Sequence, residues 1–298
     1  MGKCNLCPRR CNVDRLKAEA GAYCCSGEEV KISRAALHFW EEPCISGVEG
    51  SGTVFFTGCN LQCVYCQNRS IAKNTVGKVV SLERLADIYF ELRDKGANNI
   101  NLVTPTHYLV PVIKSIELAK KRGFDLPFLY NCSGYETVES VKALDGLIDI
   151  YLPDFKYMET DIALKYSNAP DYPEVAKKAI SEMIRQHPFQ RLDSRGIMTD
   201  GVIVRHLLLP GHVLNSKKVI RYLYETYGDK ITISIMNQYT PMPGVENICP
   251  ELGRRTKKSE YDRLIDFAIR IGVKNAFMQD GSVAKESFIP DFDSCEGV

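Results

Sequence analysis

The sequence predicts an α/β protein, a partial (β/α)6 TIM-like barrel with a Cys-rich N-terminal segment. From Ser51 onward, short apolar segments with β character alternate with stretches of helical periodicity, as in a parallel sheet built from βα units. Six such units can be counted, fewer than the eight of a closed barrel. Because residues 1–50 do not fit the repeat, we divide the chain into a metal-binding segment, 1–50, and a barrel, 51–298.

The strands and helices of the barrel are placed by their apolar pattern and by the residues that bound them. Strands are expected at 52–58, 99–105, 127–132, 148–155, 201–209 and 231–236, with a terminal strand at 275–279. Helices are expected at 82–95, 108–122, 137–144, 172–186, 216–227 and 259–271. Gly96, Gly123 and Gly272 stand where the end of a helix takes a left-handed residue.

Polar residues collect at the carboxyl ends of the predicted strands, where α/β barrels carry their chemistry. They are Thr104, Asn131, Ser133, Asp154, Lys156, Arg205, Asn237 and Gln238. Loops are polar in general, so each of these residues has an alternative interpretation as an ordinary loop residue. Taken together, they predict a polar site at this end of the barrel.

Composition excludes several classes of function. Lys and Arg total 38 against 37 Asp and Glu, which is not the basic excess that binding to a nucleic-acid backbone demands. No apolar run approaches the roughly 18 residues of a membrane-spanning helix, and no apolar core of a secretion signal follows the start of the chain. We therefore expect a cytoplasmic protein with no nucleic-acid partner and no membrane contact.

Most of the twelve cysteines crowd into two clusters, which in a chain without an export signal favours metal binding over disulfides. One cluster, GCNLQCVYCQN, spaces Cys59, Cys63 and Cys66 as C-x3-C-x2-C directly after the first strand. Three thiolates in so short a loop suit three corners of a [4Fe-4S] cluster and leave one iron open to a ligand. Zinc with a distant fourth ligand, or plain core thiols, are the alternatives.

The other cluster offers four thiolates near the start of the chain: Cys4, Cys7, Cys11 and Cys24. Four thiolates are enough for a tetrahedral zinc ion or for an iron–sulfur cluster, and the spacing does not decide between the two. It does not exclude Cys25 in place of Cys24 either. The nearby bases Arg9, Arg10 and Arg15 would offset the negative charge of the thiolates.

Tyr65 makes the first cluster C-x3-C-x-aromatic-C, and this motif after the first strand of a βα repeat resembles the radical S-adenosylmethionine superfamily. Three further stretches are similar to its pyruvate formate-lyase activating enzyme branch: CQN at 66–68, DFK at 154–156 and RHLLLPG at 205–211. Four stretches resemble an uncharacterised activating-enzyme-like group within that branch: CPRRCNVDR, EEPCISGVEGSGTVFFTGCNLQCVYCQN, INLVTPTHY and YLPDFKY. The similarity covers residues 4–280.

The resemblance implies a cofactor, a reaction and a set of roles. S-adenosylmethionine would bind the open iron and be cleaved by one electron to methionine and a 5′-deoxyadenosyl radical, which abstracts hydrogen from an unknown substrate. Lys156 and Arg205 would meet the carboxylate of S-adenosylmethionine, and Tyr65 would pack near its adenine. Asp154 with Asn131 would hold a monovalent cation.

The same resemblance completes the predicted site. The family's Gly-x-x-Cys ending favours Cys24 in the second cluster, and Ser133 and Gln238 join the cofactor site. Where the branch usually has Gly-Gly-Glu after the second strand, this chain has Thr104-Pro105-Thr106. We therefore expect the hydroxyls of Thr104 and Thr106, or backbone carbonyls, to hold the amino group instead.

Two partners are implied as well: a flavodoxin- or ferredoxin-type reductant and, by analogy, a glycyl-radical enzyme as protein substrate. A second hypothesis comes from a different class of protein. The same cysteines would serve a non-catalytic iron–sulfur electron carrier or a zinc-binding module, with no cleavage of S-adenosylmethionine.

Overall fold

The structure is a computed structural model that describes residues 3–16, 21–279 and 290–298. Its strands are β1 (Val30–His38), β2 (Ser51–Phe56), β3 (Lys78–Val80), β4 (Ile100–Val103), β5 (Phe128–Cys132), β6 (Ile150–Pro153), β7 (Arg191–Leu192), β8 (Met198–Leu207), β9 (Thr232–Met236) and β10 (Ala276–Met278). Its α-helices are α1 (Pro43–Ser46), α2 (Arg69–Ala72), α3 (Leu82–Asp94), α4 (Leu109–Lys121), α5 (Val138–Lys142), α6 (Thr160–Ser167), α7 (Tyr172–Gln186), α8 (Val213–Tyr227), α9 (Val245–Ile248) and α10 (Lys258–Arg270). Short 3-10 turns span Thr106–Tyr108, Gly228–Lys230 and Pro250–Leu252.

One ten-stranded sheet organises the chain, in the order β10-β9-β8-β6-β5-β4-β2-β1-β3, with β7 paired to β8. All pairings from β2 to β10 along this path are parallel, whereas β1 is antiparallel to both β2 and β3. The residues of β4, β5, β6 and β9 are all buried, as expected of parallel strands that are covered on both faces. The predicted partial barrel is confirmed, because β3 and β10 end the path and do not pair with each other.

Helices α3, α4, α7, α8 and α10 lie within a few residues of their predicted positions. The start of α3 is fixed by Ser81, whose side chain accepts a hydrogen bond from the Arg84 amide, and its end by Gly96 at a φ of +92°. Helix α6 is an addition to the prediction, and it ends at Asn168 in the left-handed conformation. In the parts of the chain that the structure describes, no helix has the length and apolar character to cross a membrane.

The predicted strands begin at residue 52, but the structure contains an earlier strand, β1. The nine residues of β1 pair with β2 and extend the barrel sheet. The chain then enters the barrel, where Cys44 and Ile45 pack against an apolar group near the amino ends of the strands: Leu129, Ile150, Leu152, Met198 and Ile203. We call residues 41–46 the plug. The division of the chain at residue 50 stays a prediction.

Candidate functional site

A cavity of about 270 Å³ opens at the carboxyl ends of the parallel strands. This volume is close to the lower limit of the roughly 300–1,000 Å³ of ligand pockets. The cavity brings together the three cysteines after β2 and all but one of the predicted cofactor residues. Those that line it are Cys59, Cys63, Cys66, Tyr65, Thr104, Asn131, Ser133, Asp154, Lys156, Arg205 and Gln238.

Thr106 is the exception, and its predicted contact with the cofactor is not supported. Its hydroxyl donates to the buried carboxyl group of Glu136 at 2.7 Å, because the chain turns away from the cavity in the 3-10 turn that begins at Thr106. Thr104 stays at the cavity with a φ of +58°, a conformation that is strained for a β-branched residue and is typical of glycine. Thr104 therefore has the left-handed backbone conformation expected of a glycine and adds a hydroxyl group at the cavity.

Asp154, Lys156 and Arg205 form an ion network in the cavity wall. Lys156 Nζ lies 2.5 Å from Asp154 Oδ2, and Arg205 Nε lies 2.9 Å from Asp154 Oδ1. Arg205 Nη2 donates to Asn131 Oδ1 at 2.7 Å. Burial by itself would raise the pKa of Asp154, but the positive charges of Arg205 and Lys156 hold that pKa below its ordinary value. Since the oxygens of Asp154 and Asn131 are bonded to cationic side chains, the geometry does not favour the predicted monovalent cation.

Glu41 is a cavity residue that the sequence patterns did not reveal. Its Oε2 accepts from Arg205 Nη1 at 3.1 Å, and its Oε1 accepts from the amides of Asn101 at 3.1 Å and Asn131 at 3.3 Å. Glu41 comes from the plug and not from a strand end. The run EEPCISG is part of the family resemblance and is the only signal that could have pointed to it.

The three cysteines after β2 share residues 59–66, which we call the cysteine loop. The hydroxyl of Ser167 donates to Cys63 Sγ at 3.0 Å. Cys59 Sγ accepts from the backbone amides two and three positions further on, at 3.3 and 3.5 Å. Donors of this kind stabilise thiolate ligands and tune the metal that they hold.

The cysteine loop suits a cluster better than a single ion. Within the described ranges, no three His, Cys, Asp or Glu side chains converge on a position for one metal ion. Ligands of an iron–sulfur cluster surround a larger body and stand further apart. Burial raises the pKa of Cys59 to about 11 and that of Cys66 to about 12, so these thiols are neutral until a metal displaces their protons. The three cysteines, which line the cavity, therefore fit as ligands of a [4Fe-4S] cluster.

The cysteines of the second predicted set, Cys4, Cys7, Cys11 and Cys24, also lie near one another, but, as in the cysteine loop, no three of them converge on a position for one metal ion. Burial raises the pKa of Cys7 to about 12 and also raises that of Cys24, and in each case two other members of the set add to the shift. Cys25 is engaged elsewhere, since its Sγ lies near the Tyr23 carbonyl and the Gln62 amide. All twelve cysteines are free thiols.

Glu136 is a buried carboxyl that the sequence patterns also missed. It accepts from the hydroxyls of Thr106 at 2.7 Å and Tyr130 at 3.4 Å. Burial raises its pKa from 4.5 to about 8, against the opposing effect of these hydrogen bonds. Glu136 is therefore largely neutral at neutral pH.

This pKa predicts a pH-dependent stability. Below the unfolded value of 4.5 the protonated Glu136 contributes its full stabilisation, which is lost as the pH rises toward the folded value of about 8. The slope is up to about 1.4 kcal/mol per pH unit. Glu136→Gln should therefore reduce the loss in free energy of unfolding between about pH 5.5 and about pH 8, measured by urea denaturation. The control is Glu139→Gln at an exposed position. Equal pH slopes in the two variants would contradict the prediction.

Comparison with known proteins decides the family. A sequence profile of the radical SAM superfamily matches residues 53–223. The chain belongs to the radical SAM superfamily. The matched range includes the cysteine loop and the strand ends with Asp154, Lys156 and Arg205, so the protein is a radical SAM enzyme that uses a [4Fe-4S] cluster and S-adenosylmethionine. This sets aside the non-catalytic electron carrier and the zinc-binding module.

Two kinds of relative accompany this match. "Uncharacterized protein MJ0674" of Methanocaldococcus jannaschii is 29% identical over 275 residues, which cover 89% of this chain and 74% of that protein. The structure of Streptococcus suis SuiB bound to S-adenosylmethionine aligns with a TM-score of 0.51 at 11% identity, over 75% of this chain and 48% of SuiB. Methylornithine synthase (PylB) aligns with a TM-score of 0.49 at 16% identity, over 72% of this chain and 58% of PylB. The chain thus spans about half of SuiB, and the likeness to SuiB shows a shared radical SAM fold.

Proposed function

We propose that this radical SAM enzyme holds S-adenosylmethionine between the cysteine loop and the network of Asp154, Lys156 and Arg205, and that it abstracts hydrogen from a substrate at the open side of the cavity. The observation that carries this proposal is that the three thiols and the two cationic side chains line one cavity. When bound, the cluster and S-adenosylmethionine supply a 5′-deoxyadenosyl radical after transfer of one electron.

The residues of the chain itself bind S-adenosylmethionine and orient it. A guanidinium has five N–H donors, and three of those of Arg205 bond to Asp154, Glu41 and Asn131, which leaves donors for the carboxylate of the cofactor. Tyr65 is held by its hydroxyl, 2.7 Å from that of Tyr157, so that its ring is fixed in the cavity wall as an apolar surface for adenine.

The test is anaerobic reconstitution with iron and sulfide, followed by addition of dithionite and S-adenosylmethionine. We expect 5′-deoxyadenosine and methionine to appear in equal amounts, as measured by chromatography. Protein treated in the same way without iron is the control. If the reconstituted protein forms no more 5′-deoxyadenosine than this control, the proposed function is wrong.

Lys156→Ala should weaken the binding of S-adenosylmethionine by about 1.5 to 3 kcal/mol, because a charge-assisted hydrogen bond is lost. This corresponds to a rise of roughly 10- to 100-fold in Kd. Binding is measured by equilibrium dialysis with labelled S-adenosylmethionine on reconstituted protein. Lys218→Ala is the matched control, since Lys218 is an exposed lysine paired with Glu159 at 2.6 Å. An unchanged Kd in Lys156→Ala would refute the role of Lys156.

We propose a protein substrate, a glycyl-radical enzyme, for the abstraction. Besides the family resemblance, an exposed aromatic residue supports this: Trp40 lines the cavity and is 61% exposed, as suits contact with a loop of a partner. A glycine-containing peptide deuterated at the glycine Cα tests the idea. Deuterium in 5′-deoxyadenosine is the expected result, and its absence under conditions of active cleavage would argue against a glycine substrate.

A flavodoxin- or ferredoxin-type reductant is proposed as the electron donor. Chemically reduced flavodoxin should support formation of 5′-deoxyadenosine in place of dithionite. If neither reduced flavodoxin nor reduced ferredoxin supports it while dithionite does, this partner is excluded.

We further propose that Cys4, Cys7, Cys11 and Cys24 hold a second metal, either zinc or an iron–sulfur cluster. The mutual proximity of these thiols supports the proposal. Cys24→Ser should lose this metal, whereas Cys25→Ser should keep it, because Cys25 is directed toward Tyr23 and Gln62. Zinc, iron and sulfide are counted on anaerobically purified protein. Equal metal content in the two variants would refute the assignment of Cys24.

A further inference from the structure

Arg9 reaches from the N-terminal cysteine segment to the cysteine loop. Its Nε donates to the carbonyl of Asn60 at 2.8 Å, and its Nη2 lies 3.5 Å from the carbonyl of Leu61. Both carbonyls belong to the stretch that separates the first two thiols of the loop. The side chain thus bonds directly to the backbone that places these thiols.

The same guanidinium also bonds to the end of helix α6. Its Nη2 donates to the carbonyl of Ser167 at 2.8 Å, and its Nη1 donates to the carbonyl of Asn168. These are carbonyls that a helix end leaves without partners of its own. The hydroxyl of Ser167 donates to Cys63 Sγ at 3.0 Å. Arg9 therefore fixes both the loop and the residue that bonds to one of its sulfurs.

Two aromatic rings hold Arg9 in this position. Its guanidinium carbon lies 3.7 Å from the ring centroid of Tyr23 and 5.2 Å from that of Tyr135. The side-chain amide of Gln62 also donates to the Tyr23 carbonyl, which gives a second hydrogen-bonded contact between the N-terminal segment and the cysteine loop. Among the side chains, only the planar guanidinium of arginine has enough N–H donors to bond four carbonyls while it lies against two aromatic rings.

We propose that Arg9 is a positioning residue that couples the N-terminal four-cysteine site to the catalytic cluster. Arg9 lies between Cys7 and Cys11, so metal binding there fixes its backbone, and its guanidinium in turn fixes the cysteine loop and the hydrogen bond to Cys63. Hydrogen bonds to ligand sulfurs and nearby charge set the reduction potential of a cluster. This inference rests on the proposed function of the cysteine loop and on the proposed metal of the N-terminal cysteines.

The first experiment compares Arg9→Met with Arg221→Met in reconstituted full-length protein. Arg221 is the matched control because it is an exposed arginine on α8, a helix that carries no residue of either cysteine site. The reduction potential of the cluster is measured by titration of the electron paramagnetic resonance signal that changes on addition of S-adenosylmethionine. Hydrogen exchange of residues 59–66 is measured by mass spectrometry. We expect Arg9→Met to shift the potential to more negative values and to speed exchange about tenfold, with wild-type behaviour in Arg221→Met. If the two variants agree in both measurements, the proposal is overturned.

A double variant tests the coupling itself. If the N-terminal site acts on the catalytic cluster through Arg9, Cys7→Ser should shift the reduction potential of the cluster in the same direction as Arg9→Met. The double variant should then show a shift no larger than the larger of the two single shifts. Additive shifts would mean that the two act independently, which would overturn the coupling.

Two further variants keep the test decisive where Arg9→Met does not fold. Arg9→Lys keeps the positive charge but lacks the planar guanidinium. Its cluster should therefore have a reduction potential close to that of the wild type, while residues 59–66 still exchange hydrogen faster. Ser167→Ala should shift the potential and leave exchange of the loop unchanged. Wild-type behaviour of both would overturn the proposal. Failure of the wild type to cleave S-adenosylmethionine would instead overturn the proposed function.

Discussion

Cys63→Ala abolishes formation of 5′-deoxyadenosine while the barrel stays folded: this is the largest effect on activity that we expect. Removal of one of three thiolates leaves too few ligands for the [4Fe-4S] cluster. The fold survives because Cys63 is half-buried in a loop at the mouth of the barrel and is not part of a strand. The measurements are 5′-deoxyadenosine by chromatography, iron and sulfide content, and the thermal unfolding curve.

Cys295→Ala is the matched control for Cys63→Ala. Cys295 is also half-buried, but it lies in the C-terminal segment and does not line the cavity. It should keep the iron content and the activity of the wild type. Retained cleavage in Cys63→Ala would contradict the assignment of the catalytic cluster. An insoluble Cys63→Ala together with a fully active Cys7→Ala would mean that the catalytic and structural sites are reversed.

Arg205→Met should cause the largest loss of stability, about 3–5 kcal/mol, because it takes the Arg205 charge away from the buried carboxylate of Glu41 and leaves Asp154 with Lys156 alone. Arg205 lies 2.9 Å from Asp154 Oδ1 and 3.1 Å from Glu41 Oε2, and it is 15% exposed. The variant should also bind S-adenosylmethionine more weakly. The free energy of unfolding is measured by denaturant titration, which shows the loss as a lower midpoint.

Two comparisons separate this cause from a general effect of substitution. Arg221→Met removes an exposed arginine that lies 3.9 Å from Glu225, and it should change stability by no more than about 0.5 kcal/mol. Glu41→Gln added to Arg205→Met removes one of the unpaired charges and should recover part of the loss. A loss below about 1 kcal/mol in Arg205→Met would show that the network does not hold the barrel together.

The parallel part of the barrel could be predicted because each strand carries its own signal. A run such as ITISIM at 231–236 is apolar, β-branched and bounded by polar residues, whatever the rest of the chain does. The cavity followed from topology, since parallel strands bring Thr104, Asn131 and Asp154 to one end of the sheet. Local pattern and the direction of the strands were sufficient here.

What could not be predicted depends on contacts between distant parts of the chain. No local sequence pattern shows that the chain enters the barrel after β1. Glu41 was therefore not predicted as a cavity residue, although it bonds to Arg205. Thr106 was expected at the cavity because the family resemblance aligns Thr104-Pro105-Thr106 with the segment that holds the amino group, but the turn after Pro105 directs its hydroxyl to Glu136. The bond of Ser167 to Cys63 spans 104 positions and depends on α6, a helix of eight residues.

The plug gives the two ends of the barrel different roles. Ile45 is fully buried among the amino ends of the strands, so the described residues leave no passage along the barrel axis from that side. Entry of S-adenosylmethionine and of the substrate is thereby limited to the carboxyl ends of the strands and to the gap between the unpaired edges β3 and β10.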